Sequence, residues 1–316
     1  MPDSMKREIG WAQIVRDPDT VLTVGTFDGV HRGHQAILRY LLKRAEKRDG
    51  TSTLISFDPH PREVVNDESV PLLTTVEERA QFCEQFGLDR FVIIPFTSEF
   101  RQVEATDYVE DILLGRIGLK EIVIGYDHAF GKNREGNREL LEQLGDAHSF
   151  TVDVIPAQAV DHDVVSSTKI RVLLAESGDI VRTNDLLGHR YTLSGRVEHG
   201  AGRGRQIGYP TANLDVTHDR KLIPKIGVYA VQAQIGDTQR TYDAMMNIGR
   251  RPTFDGMTVT VEVHLLGFDG DLYGDILRVE FLRRLRDEQK FESVDQLVTQ
   301  LSEDKAHCRR VIEALD

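Results

Sequence analysis

At 316 residues, with 40% hydrophobic and 28% charged content, the chain is long enough for two domains of ordinary size. Its net charge of −12 argues against a nucleic-acid partner, which would need a basic face. No apolar run approaches a membrane span, and the polar stretch Met1 to Glu8 lacks a signal peptide's apolar core, so a cytoplasmic protein without a membrane partner is expected.

The first half alternates short apolar strands with helices. Val21 to Val24 reads as a buried strand, and Ile37, Tyr40, Leu41 and Ala45 share one face of the helix that follows. Thr53 to Phe57 is a second strand. Thr74 and Thr75 with Glu77 and Glu78 form a capping-box signature ahead of a helix reaching about Phe86. Phe91 to Ile94, Ile122 to Ile124 and Val152 to Ile155 are strand-like, whereas Tyr108 to Ile117 and Arg138 to Leu144 are helical. Ser166 and Ser167 cap a helix through Leu174. This alternation predicts a mainly parallel sheet covered on both faces, with ligands bound beyond the carboxyl ends of its strands. Four polar loops follow candidate strands and would gather on that rim.

The pattern changes near Asp185. Val259, Val261, Val263 and Leu265 alternate with polar residues, as do Leu277, Val279 and Phe281, and more weakly Tyr229, Val231 and Ala233. Short strands separated by turn signals predict an antiparallel barrel. The chain ends in a helix whose apolar stripe, Val294, Leu297, Val298, Leu301, Cys308, Val311, Ile312 and Leu315, suits a lid packed on the barrel. Cys83 and Cys308 both fall in helical patterns and read as core residues rather than a disulfide.

Gly25-Thr26-Phe27-Asp28-Gly29-Val30-His31-Arg32-Gly33-His34 lies between the first strand and the first helix. A glycine-rich turn there gathers backbone N–H groups at a helix N-terminus, the ordinary place for phosphate. His31 and His34 add two imidazoles at the helix mouth, and the stretch reads as a nucleotide triphosphate site. Ser166, Ser167 and Thr168 at a helix start, with Arg171 one turn on, read either as a second anion site or as an ordinary cap with a surface arginine. In the second half, Gly195 to Arg205 carries four glycines, including Gly200 and Gly202, and three arginines, including Arg205. Such a loop is either a mobile hairpin or a wrap for a phosphate chain. No Gly-Lys-Ser/Thr pattern occurs, which disfavours a P-loop kinase. Glu262 sits on the polar face of the clearest alternating strand, as a solvent-facing residue or as a base.

The string Thr26 to His34 resembles the HxGH signature of nucleotidyltransferases, in the form found in prokaryotic bifunctional riboflavin kinase/FAD synthetases. Phe57-Asp58-Pro59-His60-Pro61-Arg62, the loop Gly125 to Lys132 and Val165 to Arg171 are similar to further motifs of that family. Gly208-Tyr209-Pro210-Thr211-Ala212-Asn213 resembles the riboflavin kinase PTAN motif, and Val261-Glu262-Val263-His264 its catalytic strand; Asn247 to Phe254 and Leu285 to Phe291 complete the likeness.

The resemblance implies an α/β chain: a Rossmann-like nucleotidyltransferase domain over residues 1–184, then an antiparallel β-barrel riboflavin kinase domain with a terminal helix over residues 185–316. It implies phosphorylation of riboflavin by ATP to FMN, then adenylylation of FMN to FAD with release of pyrophosphate. In its terms Glu262, His31 and His34 are catalytic. Gly25, Phe27, Asp28, Gly29, Gly33, Asp127, Ser166, Ser167, Thr168, Arg171, Gly200, Gly202 and Arg205 bind nucleotide phosphates. Asp58, Pro59, His60, Asn247, Arg286, Glu288 and Phe291 bind flavin, and Thr211 and Asn213 hold Mg2+. A homo-oligomer is compatible with the sequence, which leaves the assembly open. A chain with only one activity, or a flavin store without turnover, would not need motifs in both halves.

Overall fold

Every residue of Thr20–Val24 is buried, because this strand has partners along both edges and helices over both faces. The computed structural model describes residues 4–160, 163–200, 203–216, 218–236, 238, 240–253 and 256–315. The chain divides into two units, Met1–Ser167 and Thr168–Asp316.

In the first unit β1 (Lys6–Ile9), β2 (Thr20–Val24), β3 (Thr51–Asp58), β4 (Arg90–Pro95), β5 (Leu119–Gly125) and β6 (Thr151–Ile155) form one parallel sheet, in the order β1-β4-β3-β2-β5-β6. The order reverses between β2 and β5, so loops leaving those strands diverge and open a crevice at their carboxyl ends. Alternate strand residues feed two cores. Val21, Leu54, Phe91 and Val123 pack with α1 (Arg32–Arg48), and with α3 (Val76–Gln85), which follows the short α2 (Pro61–Asn66). Leu22, Ile55, Val92 and Ile122 face a helical run that begins as α4 (Ala105–Asp107) and continues in a wider π-type turn over Tyr108–Ile117. Leu141 of α5 (Arg138–His148) joins that core. The predicted capping box is present: Thr75 accepts from the Glu78 N–H, and the Glu78 carboxylate accepts from the Thr75 N–H.

After a two-strand ladder, β7 (Ala159–Val160) with β8 (Asp163–Val164), α6 (Ser167–Val172) widens into a π-type stretch, Leu173–Ser177, where the sequence predicts one plain helix through Leu174. Next come α7 (Ile180–Leu187), β9 (Thr192–Glu198), α8 (Arg203–Gln206), β10 (Ala212–Val216), β11 (Gly227–Ile235), β12 (Thr241–Thr253), β13 (Gly256–Leu265), β14 (Ile276–Arg286) and α9 (Val294–Glu313). The strands close into an antiparallel barrel, β10-β13-β12-β11-β14-β9. Tyr229, Met246, Val263, Val279 and Phe281 are fully buried. Cys308, Val311 and Ile312 of α9 pack on Ala230, Met245 and Leu282, so the terminal helix covers the barrel wall. Both cysteines are free and buried.

Candidate active sites

The turn after β2 is held in a backbone shape that side chains resist. Phe27 has φ of 48° and Val30 of 37°, in the left-handed region, where a β-branched residue such as Val is an outlier. Such a conformation costs about 1–3 kcal/mol and persists only where surroundings enforce it. Here Phe27 and Val30 are buried in the α1 core, and the loop is stitched to the start of α3. The Asp28 carboxylate accepts from the N–H groups of Leu73 (3.1 Å) and Thr74 (2.8 Å) and from the Thr74 hydroxyl (3.1 Å). Thr74 Oγ1 in turn accepts from the Gly29 N–H at 2.8 Å. Beneath them Arg79, 3% exposed, donates to the Thr26 carbonyl (2.5 Å) and to Ser56 Oγ (2.7 Å).

What this stitching presents is a stack of three rings. Phe27 and His34 lie 4.5 Å apart, and His34 and His31 3.6 Å apart, the histidine planes 14° from parallel. His31 caps α1, its Nδ1 accepting from the His34 N–H at 3.3 Å. With Nδ1 used as an acceptor, Nε2 carries the proton in the neutral ring. Burial, and then the neighbouring charges of His31 and Arg79, hold His34 well below its ordinary value. Its Nδ1 is buried and unpartnered among the described residues.

The other rim loops converge on the same end of the sheet. Asp58 and Pro59, joined by a cis peptide bond, lead from β3 into α2, which His60 caps by accepting from the Arg62 N–H. Gly125 ends β5; beyond it Asp127 is exposed and His128 stacks 5.7 Å from Phe130. Burial pulls His128 down to about 4. Ser167 Oγ donates to the Asp28 carbonyl at 2.9 Å, docking the first residue of α6 on the phosphate-type turn. Ser166 precedes it, and Thr168 and Arg171 lie further along α6.

In the barrel, strand register sets a second constellation. Glu262 of β13 stands opposite Asn213 of β10 on one side and Asn247 of β12 on the other. Side chains in such cross-strand positions share a face, so two amides flank one carboxylate. The Thr211 hydroxyl donates to Glu262 Oε2 at 3.2 Å. Gly200 lies so close that any side chain there would collide with the Asn213 amide. Gly202 lies outside the described residues, and Arg205 is exposed on α8. Glu288 approaches the same wall, and Gly249 is the residue that leaves room for its carboxylate. Arg286 is engaged elsewhere: Nε and Nη2 donate to the Asp304 carboxylate of α9 at 2.7–3.1 Å, and Nη1 to the Asp287 carbonyl. Phe291 lies under that guanidinium, 5.9 Å from its centre.

Sequence reasoning missed Arg79, Thr74 as a stitch, and Asp304. In the string Glu77-Glu78-Arg79 nothing separates Arg79 from a solvated helix charge, and the others act across long stretches of chain.

Each unit thus gathers one cluster of polar side chains, the first at the mouth of α1 and the second on a barrel wall, an arrangement suited to a two-domain transferase. The FAD synthetase family model matches residues 13–169, and the riboflavin kinase model residues 187–312. A bifunctional riboflavin kinase/FMN adenylyltransferase of Listeria monocytogenes is 35% identical over 303 residues, covering 95% of each chain. The Escherichia coli protein of that name is 36% identical, covering 92% of this chain and 91% of its own; that of Pseudomonas fluorescens is 38% identical, covering 92% of each. A solved structure from Streptococcus pneumoniae, named as a macrolide-efflux protein, superposes with a TM-score of 0.87 at 32% identity, covering 97% of this chain and 99% of its own. In the present chain no helix among the described residues is long and apolar enough to cross a membrane. The chain belongs to the bifunctional riboflavin kinase/FMN adenylyltransferase family. It is a transferase with an N-terminal FAD synthetase domain and a C-terminal riboflavin kinase domain.

Proposed function

We propose that two separate centres share the work: residues 185–316 phosphorylate riboflavin, and residues 1–184 adenylylate the FMN so formed. The division falls between the end of one family match and the start of the next. At the barrel, Glu262 accepts the proton of the ribityl 5′-hydroxyl as that oxygen attacks the γ-phosphorus of ATP; the bond to the β-phosphate oxygen breaks and ADP leaves. The observation that carries this reading is the Thr211–Glu262 pair at 3.2 Å, set between Asn213 and Asn247.

Mg2+ fits the donor set. Among the described residues no cluster of three or more His, Cys, Asp or Glu could hold a metal ion. Thr211 and Asn213 instead offer neutral hard oxygens beside one carboxylate, which suits an ion held largely by substrate phosphates and water. When bound, Mg2+ offsets charge on the transferring phosphoryl group. Gly200, Gly202 and Arg205 wrap the ATP phosphates. Asn247, Glu288 and Phe291 hold the flavin, with Arg286 fixing the segment that carries the last two.

At the sheet, a phosphate oxygen of FMN attacks the α-phosphorus of ATP and pyrophosphate leaves. The nucleophile is already an anion, so the protein needs donors rather than a base. His31, His34 and Arg171 stabilise the charge that develops. Gly25, Phe27, Asp28, Gly29 and Gly33 shape the cradle; Asp127, Ser166, Ser167 and Thr168 bind the nucleotide, and Asp58, Pro59 and His60 the FMN. The enzyme works in the cytoplasm, where ATP is available and two buried free thiols stay reduced.

The test is incubation with riboflavin, ATP and Mg2+, followed by separation of the flavins. FMN appearing first and FAD after it is expected. Riboflavin alone would overturn the enzyme reading, and FMN without FAD the second activity.

A further inference from the structure

The Pro210 carbonyl is taken by the ring of His264, with Nδ1 2.7 Å from the oxygen. A carbonyl only accepts, so Nδ1 carries the proton whatever the charge of the ring. His264 lies two residues beyond Glu262 on β13, and strand alternation puts both side chains on one face. Pro210 immediately precedes Thr211. One strand therefore supplies both the carboxylate and the grip on the loop opposite it.

The same loop is held from a second side. The Tyr209 hydroxyl lies 2.9 Å from Ser302 Oγ on α9. Ser302 gives its only hydroxyl proton to the Val298 carbonyl at 3.0 Å, so Tyr209 is the donor in that pair. Its ring packs against His264, centroids 5.3 Å apart. Two successive residues ahead of Thr211 are thus pinned, one to α9 and one to the barrel wall.

We propose that His264 is a positioning residue for the kinase reaction: by holding the Pro210 carbonyl it fixes the Thr211 hydroxyl against the Glu262 carboxylate. The inference rests on the assignment of Glu262 and Thr211 given above. His264 touches no reacting atom and acts through the loop. Misplacing such a group by about 1 Å lowers turnover by about 100-fold, so the effect falls on kcat rather than on flavin affinity.

Two polar substitutions separate positioning from packing. In H264N the amide N–H falls near the place of Nδ1, whereas H264Q reaches toward Nε2 and leaves the carbonyl without a donor. Kinase kinetics of H264N, H264Q and H264F would be read beside riboflavin binding by quenching of flavin fluorescence. H264N is expected within about threefold of the parent; H264Q and H264F should lose roughly 10- to 100-fold in kcat, with the riboflavin KM nearly unchanged. Y209F should move kcat in the same direction by less. H264Q indistinguishable from H264N overturns the proposal, as does loss of riboflavin binding in all three variants, which would mark the ring as packing alone. E262Q serves as the parallel control. Undiminished FMN formation there overturns the base assignment, whereas an inactive E262Q beside a fully active H264Q overturns the clamp alone.

Discussion

The imidazoles of His31 and His34 lie 3.6 Å apart, nearly parallel, and His34 is the ring that burial keeps neutral. Two adjacent imidazolium charges would repel, and Arg79 nearby adds to that repulsion. The mouth of α1 therefore carries a stacked pair of imidazoles with one ring held uncharged.

His31 caps the helix, and its proposed part in adenylyl transfer can be separated from that cap. H31A should remove both: about 1 kcal/mol of helix stability and most FAD formation. H31N keeps a capping side chain, so its melting temperature should stay near the parent's. Its FAD formation should still fall by about 10²- to 10³-fold, the usual effect of losing a transition-state donor. Full FAD synthesis by H31N would show that His31 matters only as a cap.

E262Q should lower FMN formation by about 10²- to 10⁴-fold while FMN-to-FAD conversion continues at the parent's rate. Separating the flavins after incubation with riboflavin, then with FMN, reads both. Equal loss of both activities in a folded protein would contradict two separate centres.

His34 and His128 set an acid limit on the first unit. In the folded chain burial holds both below their ordinary 6.5, His128 at about 4. Unfolding returns each to water. Between those values the unfolded chain binds more protons, so this stability is present above about pH 6.5 and lost as pH falls toward about 4. The melting temperature should drop through that window, and H128Q should flatten part of the drop. Identical pH profiles for parent and H128Q would remove His128 from the account.

D28A should destabilise the first unit by about 3 kcal/mol, because three donors lose their acceptor and Arg79 stays buried with less compensation. Urea unfolding measures this. FAD formation should fall with it while FMN formation holds. A variant as stable as the parent would mean that water replaces the carboxylate without loss.

Contiguous features were legible in the sequence. The alternation of strands and helices, the two-residue period of β13 and the stripe of α9 each lie within one element, so local periodicity reports them. The turn from Gly25 to His34 and the loop from Gly208 to Asn213 are likewise single stretches whose chemistry is carried by neighbours in sequence. What stayed hidden crosses elements. Asp28 reads as a phosphate-facing residue, yet its carboxylate turns onto Leu73 and Thr74, 45 and 46 residues on. Arg286 reads as a flavin contact, yet Asp304 engages its guanidinium. Composition and periodicity specify which face of an element is buried, not which distant backbone meets it.

Glu262 sits in one backbone ladder with Asn213 and Asn247, inside a barrel that has no free edge. Sliding β13 by one residue would turn Glu262 to the opposite face from the two amides, and closure leaves nowhere to slide. The gaps between the carboxylate and its amide neighbours are thus gauged by strand spacing, about 5 Å, rather than by any loop. Loops at the barrel's ends can lengthen or shorten around substrates of different bulk while that gauge stays constant.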